Sequence, residues 1–151
     1  MQDIEDFKKS IGSKSRLLGI DPGKKRVGLA ISDEDKLVST PLKTIIKKNN
    51  SDFIKEIKEI IEENNIKGII VGNPINMDGS KGSSSQSAND FAKYLSNNVS
   101  VPVTMWDERL SSEGAFNLSS NLDINTSKKV EKLDQNAASF ILQGAIDYIR
   151  R

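Results

Sequence analysis

Apolar positions in the first third of the chain form short runs separated by turn residues. The first run stops abruptly at Pro22-Gly23, which predicts a buried strand that ends at Asp21. Two further apolar runs follow, with the acidic segment 33–36 predicted as a compact turn between them. The three predicted strands form a meander and cover residues 16–20, 27–31 and about 37–46.

The rest of the chain alternates between helical and strand patterns. Ser51 is expected to cap a helix in which apolar residues recur at i, i+4, i+7 and i+8, from Phe53 to Ile61. The nearly continuous apolar run 67–72 is typical of a central parallel strand covered on both faces. After the polar segment 73–86, the predicted elements are a helix with Ala88 and Leu95 on its apolar side, a strand at 101–106, a short helix from about Ser111, a polar loop at 119–127 and a helix at about 129–149.

This order of elements, βββαβαβα, predicts a three-layer α/β fold. It implies a mixed five-stranded sheet, in which an antiparallel meander leads into crossover units, with helices on both faces. A length of 151 residues with 36% hydrophobic content fits one compact domain. Residues 1–15 are polar and mixed in charge, so they are expected to be an N-terminal extension to a single domain over residues 16–151.

The composition excludes several classes of chemistry. The chain has no Cys and no His, which rules out an ordinary zinc site, a Cys nucleophile, a Ser-His-Asp triad and an imidazole base. Carboxylate, lysine and hydroxyl chemistry remain. The lack of Cys suits a reducing cytoplasm, and neither a signal peptide nor a membrane span is predicted. A formal net charge of +1 neither requires nor excludes a polyanionic partner.

A carboxylate and a basic cluster meet at the end of the first predicted strand. Asp21 is followed closely by Lys24, Lys25 and Arg26. Hard divalent cations prefer carboxylate oxygens, and Lys and Arg neutralise phosphate oxygens, so a metal and a phosphate could share this corner. Asp-Pro-Gly is also ordinary turn chemistry, and that alternative stays open here.

A second acidic group follows the last predicted strand. Asp107, Glu108 and Arg109 stand where that strand ends, and ligands of α/β sheets gather outside the carboxyl ends of strands. If the first and last strands are parallel, this group and Asp21 face one cleft. The alternative is that the acids complement the dipole of a helix start.

Asp134 is a third candidate, on the final predicted helix. It shares a helix face with Ala138, Ile141 and Ala145, at i+4, i+7 and i+11. A carboxylate on such an apolar face is costly unless a cation, a donor network or an open cleft accompanies it. The alternative is an acid near the helix start that is stabilised by the helix dipole.

With these residues in view, the chain closely resembles the YqgF family, also called RuvX-like, of RNase H-fold proteins. The resemblance covers about Leu18 to Ile149 and rests on four segments that occur in the family's order. They are GIDPGKKRVGLAISD at 19–33, VGNPINMDGS at 71–80, DERLSS at 107–112 and LDQNAASFILQ at 133–143. Two departures are Asn73, where the family usually has an apolar residue, and Ser112, where Thr is common.

The resemblance implies an RNase H-like nuclease domain, and it carries the family's acids onto positions already singled out. The first acid falls on Asp21, the DER motif begins at Asp107, and the final-helix acid is Asp134. The family is associated with Holliday-junction resolution and with cleavage of the 16S ribosomal RNA precursor. A cytoplasmic bacterial protein with a role in ribosome maturation is therefore expected.

The resulting hypothesis is a metal-dependent nuclease that processes the 5′ end of the small-subunit rRNA precursor. Asp21, Glu108 and Asp134 are expected to be catalytic and to coordinate one or two Mg²⁺ or Mn²⁺ ions, with Asp107 replacing or assisting Glu108. Such ions activate water without histidine. The residues expected to position nucleic-acid phosphates are Lys24, Lys25, Arg26 and Arg109.

Three alternatives remain at this stage. The protein could resolve branched DNA, for which a two-fold dimer is needed, whereas an RNA-trimming enzyme can act as a monomer. It could be a non-catalytic assembly factor that binds a ribosomal precursor particle. A D-x-G turn also begins the phosphate loop of actin-like ATPases, but their architecture duplicates the domain and this chain has one half. None of these readings involves a membrane.

Overall fold

The computed structural model describes residues 1–74, 82–110 and 126–151. The short helix expected from about Ser111 lies outside these residues, as does most of the loop expected at 119–127. The strands are β1 (Arg16–Asp21), β2 (Arg26–Ser32), β3 (Ser39–Ile46), β4 (Ile66–Asn73) and β5 (Val103–Asp107). The helices are α1 (Ile4–Ile11), α2 (Asn50–Glu63), α3 (Ser83–Asn98) and α4 (Thr126–Ile149), and a 3₁₀ turn spans Glu108–Leu110.

The strands form one five-stranded sheet in the order β3-β2-β1-β4-β5. β1, β2 and β3 pair antiparallel, while β1, β4 and β5 run parallel. The predicted fold class, a mixed sheet with an antiparallel meander, is confirmed. Because β1, β4 and β5 are parallel, Asp21, Asn73 and Asp107 end their strands at the same edge of the sheet.

Two hydrophobic cores lie on opposite faces of the sheet. Side chains alternate between faces along each strand, so Leu18 and Ile69 enter one core and Leu17 and Ile70 enter the other. α2 and α3 cover the first face, and α1 and α4 cover the second. The prediction of a central strand covered on both faces is therefore correct for β4.

The N-terminal segment forms a helix that the sequence pattern did not predict. Within α1, Phe7 is fully buried and packs against the backbone of Gly68. The backbone N–H of Gln2 also donates to Val103 O at 2.9 Å. The apolar stripe of α1 is short and stands among charged residues, so local composition concealed a helix that is stabilised by tertiary packing.

Two predicted boundaries differ for identifiable reasons. The expected cap at Ser51 is wrong, because α2 is capped two residues earlier by Asn49, whose side chain accepts the Asp52 N–H at 2.8 Å. The last strand begins at Val103 rather than 101, directly after Pro102, which has no N–H to donate to a strand ladder.

α4 lies unusually close to the sheet, and two glycines make this possible. A Cβ atom on Gly28 of β2 would stand 2.0 Å from the backbone oxygen of Asp134. A Cβ atom on Gly72 of β4 would stand 2.5 Å from Ile141 Cδ1. At Gly28 the obstacle is the backbone of α4, so a larger side chain there must move the helix, whereas at Gly72 it is the end of the Ile141 side chain. The close approach brings Asp134 down to the sheet.

Gly28→Ala is expected to destabilise the protein by about 1–3 kcal/mol, the usual cost of overpacking. The added methyl group meets backbone rather than a flexible side chain, so α4 must shift. Urea unfolding measures the loss, with Thr40→Ala on the exposed face of β3 as the control. A loss for Gly28→Ala no larger than for the control would contradict the close packing of α4.

Candidate active site

Three acidic side chains from three different elements meet at the carboxyl edge of the parallel strands. Asp21 is the last residue of β1, Glu108 opens the 3₁₀ turn after β5, and Asp134 belongs to α4. The side chains of Asp21 and Glu108 are hydrogen-bonded, and the negative charge of Asp134 is close enough to act on Asp21. The structure thus brings together the three acids that the sequence singled out.

Burial dominates the electrostatics of the Asp21–Glu108 pair. Desolvation is the largest of the effects that raise the pKa of Asp21 to about 8, followed by the charge of Glu108, its hydrogen bond and the charge of Asp134. Burial also raises the pKa of Glu108, while the hydrogen bond from Asp21 lowers it. Burial and the neighbouring charges therefore favour a state in which the metal-free Asp21–Glu108 pair retains a proton near neutral pH.

Gly72 determines how Glu108 reaches this position. A Cβ atom on Gly72 would lie 2.7 Å from Glu108 Oε1, so the carboxylate rests directly over the backbone of β4. The same glycine accommodates Ile141 of α4. The sequence analysis missed this role, although the Val-Gly-Asn end of an apolar strand marks a place where backbone is approached closely.

Asp134 is stabilised by a cation rather than by the helix start. The Nε of Arg26 donates to Asp134 Oδ2 at 2.9 Å, and the Asp134 side chain is 21% exposed. α4 begins at Thr126, so Asp134 is its ninth residue and lies beyond the first turn, where the dipole acts. The helix-dipole alternative for Asp134 is therefore wrong. Arg26, expected to bind phosphate, already has an acidic partner.

Asp107 and Arg109 form a pair of their own beside the site. The guanidinium of Arg109 donates to both carboxylate oxygens of Asp107, at 2.7–3.1 Å, and its backbone N–H donates to Oδ1 at 3.0 Å. These bonds with Arg109 lower the pKa of Asp107. Asp107 therefore caps the 3₁₀ turn, which accords with the helix-start alternative for this residue. Glu108 is the acid that contacts Asp21.

The donor set suits a hard divalent cation, although the acids are not arranged around one. Among residues 1–74, 82–110 and 126–151, no three acidic side chains stand close enough together to hold a metal as placed. Asp21 and Glu108 supply adjacent carboxylate oxygens, the ligands that Mg²⁺ and Mn²⁺ prefer. Without a cation, a retained proton and the Arg26–Asp134 ion pair offset the negative charge of these acids. Asp21 and Glu108 are the pair that fits it best.

The other basic candidates follow Asp21 closely in the chain. Lys24 and Lys25 are exposed in the turn between β1 and β2. The backbone N–H of Lys47 donates to Lys25 O at 2.7 Å, which ties the end of β3 to this turn. Lys47 was not among the predicted site residues; its place directly after a predicted strand was the only signal. Across the described parts of the chain, no helix is long and apolar enough to cross a membrane.

The order of the strands and the helices on both faces of the sheet define an RNase H-like fold. Among solved structures, RuvC of Thermus thermophilus is similar with a TM-score of 0.56 at 14% identity, over 89% of this chain and 95% of that one. The same protein in complex with a Holliday junction substrate gives 0.52 at 14% identity, over 90% and 95%. At this identity the likeness shows the fold alone.

The chain belongs to the RuvX family, whose model, described as "Holliday junction resolvase", matches residues 15–148. A relative from Pelagibacter ubique is 58% identical over 149 residues, 99% of both chains. One from a Ruegeria species is 41% identical over 147 residues, 97% of this chain and 94% of the relative. Both carry the name "Putative pre-16S rRNA nuclease". Family membership classes the chain as a hydrolase acting on phosphodiester bonds.

The raised pKa of Asp21 gives a prediction about stability. Folding lifts this pKa from about 4 to about 8, so the contribution of the protonated group is complete below pH 4 and is lost as the pH rises through 8. Asn cannot ionise. In chelator, Asp21→Asn is therefore expected to exceed the wild type in unfolding free energy by more at pH 8 than at pH 5, by at least about 1.4 kcal/mol, one pKa unit.

Asp107→Asn is the control for this measurement. Because Arg109 lowers the pKa of Asp107, its carboxylate stabilises the fold above the unfolded pKa, and the amide is expected to give no gain at high pH. Urea unfolding at both pH values measures each variant. An advantage of Asp21→Asn that does not change between pH 5 and pH 8 would refute the retained proton.

Proposed function

We propose that the protein is a divalent-metal-dependent nuclease that cleaves a phosphodiester bond at the 5′ end of the 16S rRNA precursor. The observation that carries this proposal is the partly buried, hydrogen-bonded pair Asp21–Glu108, with Asp134 beside it, at one edge of an RNase H-like sheet. The names of the curated relatives support RNA as the substrate. A cytoplasmic location and a ribosomal precursor particle as the partner follow from that substrate.

Asp21 and Glu108 are proposed to hold Mg²⁺ or Mn²⁺, with Asp134 as a third ligand. Such an ion supplies an activated water and stabilises the charge of the leaving oxygen. To hold the ion, Asp21 would have to be ionised and Asp134 would have to give up its hydrogen bond with Arg26. The guanidinium of Arg26 would then be available to a substrate phosphate.

The remaining side chains position the substrate. Asp107 holds Arg109 through three side-chain hydrogen bonds, so the guanidinium is presented beside Glu108 in a fixed orientation. Lys24 and Lys25 extend from the turn after Asp21 toward solvent and are proposed to neutralise backbone phosphates. All residues of this proposed site lie within residues 16–151, and α1 packs on the sheet apart from the site.

Cleavage is expected to depend on the acid pair and on the metal. Asp21→Asn and Glu108→Gln should each lower the rate on a 16S precursor fragment at least about 100-fold in Mn²⁺ or Mg²⁺, because a neutral amide is a poor ligand for a hard cation. The chelator should abolish cleavage by the wild type. Product analysis on gels measures the rate, and Glu59→Gln on the exposed face of α2 is the matched control.

The same assay separates the alternatives. A four-way DNA junction is tested in parallel, because the family model is described as a resolvase. Cutting of the junction without cutting of the RNA would replace RNA processing by junction resolution. Binding of either substrate without cutting would favour an assembly factor. Full activity of Asp21→Asn would remove Asp21 from the chemistry.

RNA binding is expected to weaken steeply with salt, because each phosphate contact releases counterions. Lys25→Met should make the slope of log Kd against log salt shallower by about 0.7–0.9, the share of one phosphate. Lys55→Met, an exposed change on α2, removes the same charge away from the site and should leave the slope unchanged. Equal slopes for the two variants would exclude Lys25 from the RNA path.

A further inference from the structure

A cleft lies at the same edge of the sheet as the acids, but on the opposite face. Its volume is about 310 Å³, at the lower end of the ~300–1,000 Å³ of small-molecule sites. The β1–β2 turn forms one wall and the first turns of α3 form the other. The lining residues used below are Pro22, Lys24, Lys47, Pro74, Ser87 and Phe91.

This cleft adjoins the acidic site directly. Pro22 follows Asp21 in the chain, so their Cα atoms are about 3.8 Å apart. On the other wall, Pro74 follows Asn73, which pairs with Asp107 across the sheet. The Asn73 side chain accepts a hydrogen bond from Ser85 Oγ at 2.9 Å, which fastens α3 to the end of β4. A nucleic-acid strand held at the acids can therefore pass over Pro22 and enter the cleft.

The cleft wall combines a fixed positive charge with aromatic surface. The Nζ of Lys47 lies 5.5 Å from the centre of the Phe91 ring and 5.9 Å from that of Phe53. The two rings are themselves 5.5 Å apart. Cation–π contacts of this kind restrict the ammonium group, so Lys47 presents its charge from a defined place. Lys24 adds a second ammonium group at the turn.

These features match the parts of one nucleotide. Ammonium groups complement a phosphate, serine hydroxyls such as that of Ser87 can bond a ribose, and the partly buried Phe91 gives apolar surface to a base. A base still stacked in a duplex cannot reach into a cleft of this size, so the nucleotide must be unpaired.

We propose that this cleft binds one unpaired nucleotide of the RNA, adjacent to the phosphodiester held at Asp21 and Glu108. The proposal rests on the proposed nuclease function and narrows its substrate to RNA with an unpaired nucleotide beside the cut. It assigns Lys47, Ser87 and Phe91 to substrate binding. A fully paired stem at the cut should be a poor substrate.

The first experiment needs no change to the protein. A single abasic nucleotide is placed in turn at each position within three nucleotides of the cut in a 16S precursor fragment. One position is expected to lower kcat/KM at least 5-fold, through KM, because it removes the base that enters the cleft. The other positions should change it less than 2-fold. A uniform effect at all positions would overturn the proposal.

The second experiment closes the cleft. Ser87 is exposed, so Ser87→Tyr fills the cleft without disturbing a core. Asn97→Tyr is the control, since it introduces a tyrosine at an exposed position further along α3. Ser87→Tyr should raise KM for the intact RNA and abolish discrimination against the sensitive abasic position. Lys47→Met should raise KM, whereas Lys48→Met, the same loss of charge outside the cleft, should not. Retained discrimination in Ser87→Tyr would refute the assignment.

Binding measurements separate this proposal from the nuclease function. The Kd values of intact and abasic RNAs are measured with Asp21→Asn in chelator, where no cleavage occurs. A position-specific loss of affinity supports the cleft even if the wild type cuts no RNA. Cleavage by the wild type without any position-specific loss of affinity or KM sustains the nuclease and rejects the cleft.

Discussion

The close contact between α4 and the backbone of the sheet is the constraint on which the rest of the structure depends. With glycine at 28, the helix backbone at Asp134 lies against β2. With glycine at 72, Ile141 and the Glu108 carboxylate both rest on β4. Asp134 and Glu108 belong to elements that are far apart in sequence, and these two bare stretches of backbone let them converge on Asp21. A side chain at 28 would push the backbone of Asp134 away from the sheet, and one at 72 would displace the Glu108 carboxylate.

Bringing four carboxylates to one partly buried edge is unfavourable, and a proton and two arginines offset this cost. A proton neutralises one charge of the Asp21–Glu108 pair. Arg26 neutralises Asp134, and Arg109 neutralises Asp107. A divalent cation bound by Asp21, Glu108 and Asp134 would take the place of the proton and of Arg26, whereas the Arg109–Asp107 pair would remain.

The sequence predicted the sheet and the acids, because both depend on local patterns. Apolar runs that stop at Pro22-Gly23 or at Asp107 mark strand ends, and parallel strands place their ends at one edge. The sequence pattern did not predict α1, since a helix with three apolar residues among charged ones is stabilised only by its packing on the sheet. The ion pair between Asp134 and Arg26 could not be predicted from the sequence either. The two residues are 108 positions apart, and only the docking of α4 brings them into contact.

The two faces of the sheet edge are linked by the turn after Asp21. On the α4 face this turn leads back to the acids, and on the α3 face the same residues form a wall of the cleft. Asn73 contributes here as well, because its bond to Ser85 fixes α3 relative to β4. The departure at this position from the family's usual apolar residue thus acts on the cleft rather than on the acids. In the proposed mechanism, chemistry and substrate choice lie on opposite faces of one sheet, so substitutions in α3 are expected to alter which RNA is cut without altering how it is cut.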